Sequence, residues 1–450
     1  MDSTTLATFR DTLYTACFTR ARDALFDLTD ALVSDSQARS LVELSQAACF
    51  RRAWPSVYAA LDDGQIDRAA LQRLFVTHLP SRMIGSRLVL GLDVSSILRP
   101  DAHTSADRTL VHRSNLPADA IPVGPGWQFS ALVVLPDPVS AATYILDTRR
   151  IPSTATATTI GAAQLQAILP LLARSGVPVL LVLDRGYSHA PWVLACAGLP
   201  CVCLSRARKD QVLYRPAPPP TQRRGRPRLD GPRFKGSAAH THGDPDDDWM
   251  GTDATGKRIQ VRCWRNLHLK QARHIPIAVI QVIREGARGT KRDPRVSWFW
   301  WIGGPVPPLA EIPQLYARRF GQEHGFRLDK QTLLWDAPQL RTPEQFERWT
   351  DVVSSAHNQL ILLQPLVRSG QRPWERRTGL LSVGQVRRGA GKVLAQLGTP
   401  ARPPQRRGKA PGRAAGATVR RAPRHPVIRK GTKPTSNTAK IPSKHVVQRE

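Results

Sequence analysis

Four short apolar runs limit what this chain can fold into: RLVLGLDVSS (87–96), QFSALVVL (128–135), ATYILD (142–147) and VPVLLVLD (177–184). Each has the length of a strand and is bounded by turn-forming residues. Between the last two, IGAAQLQAILPLLARSG (160–176) carries apolar residues at three- and four-residue intervals. That spacing predicts a helix, Pro170 notwithstanding, ending at Gly176. A continuous apolar strand placed after a helix is the pattern of a parallel strand covered on both faces. The expected core is a mixed α/β sheet.

The rest of the chain divides around that core. Residues 1–80 read as a helical domain, with apolar periodicity over Thr4–Phe18, Arg20–Leu32, Gln37–Phe50 and Ile66–His78. The pair ARSLVELSQAACFRRAWPSVYAALDDG (38–64) and QIDRAALQRLF (65–75), with a turn at Asp62, Asp63 and Gly64, resembles a helix-turn-helix that could hold a DNA end, and a plain helical cap fits equally well. Residues 85–214 form the first part of the core. Residues 215–293 open with the Pro-rich, basic RPAPPPTQRRGRPRLDGPRFKG and are expected to be a linker and a β-rich insertion with its own small β structure. VSWFWWIGG (296–304) resumes the strand pattern, and a long helix from Leu309 to Leu334 and another over Glu344–Val367 complete the core within 294–368. Residues 369–450 lose periodicity; the last fifty hold fourteen Lys or Arg and one acid, Glu450, and are expected to be a disordered basic tail.

Charge sets the partner. The chain has 65 Lys and Arg against 35 Asp and Glu, a formal +30. Such an excess points to a polyanion, nucleic acid before membrane. The N-terminal stretch lacks the pattern of a secretory signal, and no apolar run approaches a membrane span. The expected location is cytoplasmic and nucleoid-associated. Six cysteines include no C-x-x-C pair and read as ordinary thiols.

Two acids stand where apolar runs end, Asp93 in LVLGLDVSS and Asp184 in VPVLLVLDRGY. Strand ends hold working groups rigidly at an open edge, yet Asp also suits turns for purely local reasons. A third acid, Glu323, lies in YARRFGQEHGFRLDKQ (316–331) with Tyr316, Arg319 and Lys330. On one helix those four fall at roughly 0°, 300°, 340° and 320° around the axis, one narrow stripe. Arg319 and Glu323 also suit an ordinary surface ion pair. Three carboxylates on rigid elements of a basic protein match the oxygen ligands that hard cations take.

The spacing Tyr, two residues, Arg, three residues, Glu, six residues, Lys resembles the YREK pattern of bacterial insertion-sequence transposases with a DDE triad, of the actinobacterial type. The resemblance spans most of residues 1–370. It implies an RNase H-like catalytic core in which Asp93, Asp184 and Glu323 bind two Mg²⁺ ions, with Mn²⁺ as a substitute. It further implies that Tyr316, Arg319 and Lys330 grip phosphates at the cleaved end. The partners it implies are double-stranded DNA, as terminal inverted repeats and as target, and a homodimer on that DNA. The first motif departs from many relatives: Ser95 stands where Thr is common, which leaves Asp101 and Asp107 as lesser candidates.

Beyond the triad, Arg224 and Arg226 in RGRP resemble an AT-hook core that enters a narrow minor groove; a flexible basic linker is the alternative. Trp298, Trp300 and Trp301 are candidates for stacking on an unpaired base or for core packing. His240, His242 and the DPDDD run (244–248) read as loop. The implied activity is metal-dependent cleavage at element ends with strand transfer. Its rivals are a transposase-derived binding protein that cuts nothing and a nuclease without a joining step.

Overall fold

A computed structural model describes residues 3–113, 121–219, 228–253, 256–290, 293–375, 379–405, 412, 414, 416, 418 and 421–430. Arg224 and Arg226 of the expected AT-hook lie outside the described residues.

The N-terminal block comprises α1 (Ser3–Thr12), β1 (Phe18–Arg20), α2 (Arg22–Ser34), α3 (Leu41–Leu44), α4 (Pro55–Asp63), β2 (Gln65–Ile66) and α5 (Arg68–Thr77). Two expectations fail here. The helix foreseen over Gln37–Phe50 is one turn, capped by Ser40, because Ser45 donates its hydroxyl to the Val42 carbonyl and the chain turns away. The joint before α5 is not a plain turn, since β2 pairs with β1. α5 starts at Asp67, whose carboxylate accepts the Ala70 amide. It buries Leu71, Leu74 and Phe75, and the Phe75 ring meets Tyr144 of the main sheet. The block is thus packed as a cap on the core.

The main sheet is built from β3 (Leu88–Leu98), β4 (Thr109–His112), β5 (Val123–Val134), β6 (Tyr144–Ile151), β7 (Val179–Leu183) and β8 (Val202–Ala207), with α6 (Ala157–Leu172) and α7 (Ala190–Ala195) as crossovers. β5 lies antiparallel to β3, and β6 antiparallel to β5. After α6, β7 pairs parallel with β3 and β8 parallel with β7. The strand order is therefore β6-β5-β3-β7-β8, a mixed sheet as the apolar runs predict. All five residues of β7 are buried, as a strand covered on both faces requires.

The sheet continues through β9 (Val212–Tyr214), β10 (Arg233–Lys235), β11 (Asp247–Thr252), β12 (Arg258–Leu269), β13 (Ala272–Arg284) and β14 (Val296–Ile302). These strands do not form the separate β structure expected of residues 215–293. β13 pairs with β14, and β14 pairs with β8, so twelve strands share one sheet. The reason is that β14 carries apolar side chains on both faces and is hydrogen-bonded along both edges. Trp298, Trp300 and Trp301 are all buried, which answers the choice between stacking and packing for the three rings. His242 stacks on Phe234 beside Trp264. The acidic run is only partly loop: Asp247 and Asp248 open β11 and pair with Arg265 and Arg262.

The helices that close the core are α8 (Ile312–Ala317), α9 (Phe320–Gln331), α10 (Pro343–Leu363) and α11 (Val383–Leu397). α10 begins with a Thr342–Gln345 capping box and runs through the interior. Its Asn358 accepts the Ile145 amide and donates to the Ile145 carbonyl at 2.9 and 2.8 Å, satisfying the outer edge of β6. α11 corrects the reading of 369–450 as one disordered tail. It buries Val383, Val386, Ala390 and Leu394, and Arg387 donates to the Leu32 carbonyl of α2. Its apolar stripe is only four residues, too sparse to stand out in a basic, Gly-rich sequence. Residues 421–430 also dock on the core.

Candidate active site

β3 presents alternate residues to opposite faces. Leu92 faces α6, where a Cβ on Gly161 would lie 2.7 Å from the Leu92 side chain. Gly91 and Asp93 face the other way, toward α9. A Cβ on Gly91 would come 2.5 Å from Gln322 Oε1, so this glycine is what lets α9 lie close to β3. Gln322 in turn donates to the Ala131 carbonyl of β5 at 2.8 Å. The next residue in α9 is Glu323.

Strand register brings the two aspartates level. Leu92 pairs with Leu183 in the parallel ladder. Asp93 and Asp184 are the next residues on each chain, at the point where β7 ends and β3 runs on beside β5. Asp184 caps the following turn by accepting the Gly186 amide at 2.7 Å, and Asp93 Oδ1 accepts the Val94 amide at 2.8 Å.

Arg319 joins the first and third acids. Its Nη1 donates to Asp93 Oδ2 at 2.9 Å and its Nη2 donates to Glu323 Oε1. The Arg319 side chain is 14 % exposed, that of Asp93 21 % and that of Glu323 45 %. Burial pushes Asp93 up to about 6; Arg319 opposes the rise, and Asp184 and Glu323 add to it. Asp93 is therefore within electrostatic reach of both other carboxylates.

The stripe itself differs from one straight helix. Amides of Arg319, Gly321 and Gln322 reach back three residues to Tyr316, Arg318 and Arg319, and this tighter turn separates α8 from α9. Tyr316 ends up buried with its ring 4.6 Å from Phe299. Burial holds its hydroxyl above the ordinary phenol range. Lys330, two turns after Glu323, donates to the Ser96 carbonyl of β3 at 2.7 Å. Burial lowers its pKa, and Asp336 and Asp329 oppose that.

Asp93, Asp184 and Lys330 line one open cavity of about 750 Å³ together with Tyr187, His112 and Asp336. The last three were not singled out in the sequence. Tyr187 sits in DRGY, and its buried hydroxyl is held above its usual pKa by desolvation and then by Asp93 and Asp184. Nothing local marks His112 or Asp336. Asp107 belongs elsewhere: it pairs with Arg150 and accepts the Ser153 amide.

Among the described residues, no three Asp, Glu, His or Cys side chains are disposed to cage an ion as they stand. The Arg319 guanidinium lies between two of the acids. The donor chemistry still suits a hard divalent cation, because the acids are oxygen donors and Asp93 stays raised by burial and by its two acidic neighbours even with Arg319 beside it.

No curated protein matches the chain. Residues 13–268, more than half of the 450, match the family model for DDE superfamily endonucleases. The match includes Asp93 and Asp184 and ends before Glu323. With two level aspartates on adjacent parallel strands and that match, the chain belongs to the DDE superfamily endonucleases.

Proposed function

We propose that the chain is the DDE transposase of an insertion sequence, which cuts DNA at the element's ends and joins the freed 3′ end to target DNA. The observation that carries this reading is the pairing of Asp93 and Glu323 through one guanidinium, with Asp184 level with Asp93 on the neighbouring strand. The order and directions of β6-β5-β3-β7-β8 support an RNase H-like core.

In this reading Asp93, Asp184 and Glu323 would hold two Mg²⁺ ions, or Mn²⁺. When bound, such a pair stabilises charge on both the attacking and the leaving oxygen at phosphorus. The protein's own share is positional. Backbone amides fix the two aspartates, and Gly91 and Gln322 fix the approach of α9. Arg319 leaves Asp93 and Glu323 and forks onto a phosphate, for which a planar guanidinium is well shaped. Lys330 acts as a point charge on the cavity wall, and Tyr316, expected to grip phosphate as well, is buried against Phe299 and would have to do so through its hydroxyl alone. Two copies on paired inverted repeats would complete the active assembly.

The test compares wild type with Glu323→Gln and Asp184→Asn, with Mg²⁺, on DNA bearing the ends of the element and a target plasmid. Cleavage and joining by wild type, and a loss of at least 100-fold in both variants, is the expected result. Equal joining by Glu323→Gln removes Glu323 from the mechanism. Cut ends with no joined product would select the nuclease reading, which the family's description as endonucleases keeps in view.

A further inference from the structure

Residues 421–430 are a strap laid along the segment His103–Thr109 that leads into β4, an edge strand of the sheet. The His425 amide donates to the His103 carbonyl at 2.8 Å and the Ile428 amide to the Arg108 carbonyl at 2.7 Å. Ile428 bridges Thr109 in the parallel sense, so the strap runs the same way as β4. Arg108 is buried and holds the strap from beneath. It donates to the His425 carbonyl at 3.0 Å, and also to the carbonyls of Ser105, Arg99 and Pro100. At the far end Lys430 Nζ donates to the Ala155 carbonyl at 2.8 Å.

Only the Lys430 end of this path approaches the acidic cavity, and Arg421 and Arg424 lie toward the other end, beside His103. His112, the last residue of β4, lines the cavity, as do Ala157 and Thr158, which begin α6 just after Ala155. The strap contains Arg421, Arg424, Arg429 and Lys430 and no acid. The side chains of Arg421 and Arg424 are exposed. A cavity walled by Asp93, Asp184 and Asp336 repels a phosphodiester, so cations on the approach to it are needed to bring one close.

We propose that this strap is a DNA-backbone contact surface on the approach to the active-site cavity, with Arg421 and Arg424 seated on phosphates of the duplex that leads into it. The inference rests on the transposase reading for its partner and adds a site that the triad and its helix do not supply. Strand-edge pairing fixes the position of the strap, while the cations make the contact. An edge cover alone would need the backbone bonds and not the arginines.

The test is the double variant Arg421→Ser/Arg424→Ser in the full chain, which leaves every strap backbone bond in place. Binding to a fluorescein-labelled duplex of about 30 base pairs is followed by anisotropy over a salt series without divalent metal. Each lost phosphate contact lowers the slope of log K against log salt by about 0.9, so the double variant should lose nearly 2. An unchanged slope with an unchanged unfolding midpoint overturns the proposal and leaves an edge cover. If the midpoint falls, a photo-crosslinking residue at position 424 decides: crosslinks to the duplex support the contact, and none overturns it. A wild type that binds no duplex defeats the DNA reading itself, which is a separate result from a variant that binds as wild type does.

Discussion

Asp93→Asn separates the cost of the site from its use. The amide keeps the carboxylate's shape and can still accept the Val94 amide, but it carries no charge. Burial, with Asp184 and Glu323, raises Asp93 from 3.8 to about 6 despite Arg319. Two pKa units equal about 3 kcal/mol of preference for the neutral form in the folded state. The side chain keeps 21 % exposure, so solvent screens part of this and about 2 kcal/mol is expected. Because the folded value is raised, this group's contribution to stability is complete below pH about 4 and is lost as pH rises through about 6. Asp93→Asn should therefore be about 2 kcal/mol more stable than wild type at neutral pH and indistinguishable near pH 4. Urea unfolding at the two pH values, with equal m-values, reads the difference. Millimolar Mg²⁺ should raise the midpoint of wild type and leave the variant unmoved. A variant less stable than wild type at neutral pH, or an offset that does not depend on pH, would refute the charge argument.

Three further outcomes follow from the same geometry. Mg²⁺ binding to the metal-free protein should weaken as pH drops through about 6, when Asp93 takes up a proton; an affinity that holds unchanged to pH about 5 would exclude Asp93 as a ligand of raised pKa. Gly91→Val drives a side chain into Gln322 and should cost about 1–3 kcal/mol while lowering cleavage by more than tenfold. Adding Gln322→Ala should recover part of both, and no recovery would mean that α9 is not what the valine displaces. His357 lies between Asp329 of α9 and the Thr143 carbonyl, at 2.6 and 2.8 Å, and its pKa is raised by Asp329 against the effect of burial. His357→Leu strands a buried carboxylate and should cost about 3–5 kcal/mol by thermal unfolding, and a neutral effect would show that Asp329 simply takes a proton.

The core strands could be read from the sequence because a strand covered on both faces has to be apolar throughout. β7 and β14 show this, and each carries its neighbours into the sheet. The strap and α11 could not be read in the same way. The strap holds its place through backbone bonds and one buried arginine, and α11 through a thin stripe that only α2 and α10 make into a core. The same holds for the tight turn between Tyr316 and Gln322, since three-residue and four-residue hydrogen bonds share nearly the same side-chain pattern.

The amino-acid order alone determined which residue types were at hand: two acids closing apolar runs, a third within a Tyr-Arg-Glu-Lys spacing, and a large excess of positive charge. Tertiary structure decided their relations. Parallel register set Asp93 level with Asp184, a missing side chain at Gly91 let α9 bring Glu323 and Arg319 to them, and edge pairing laid a basic strap on the approach to the cavity. Local sequence fixes chemistry and periodicity, whereas the distance between far-separated groups is set by strand pairing and close packing, which no single segment encodes.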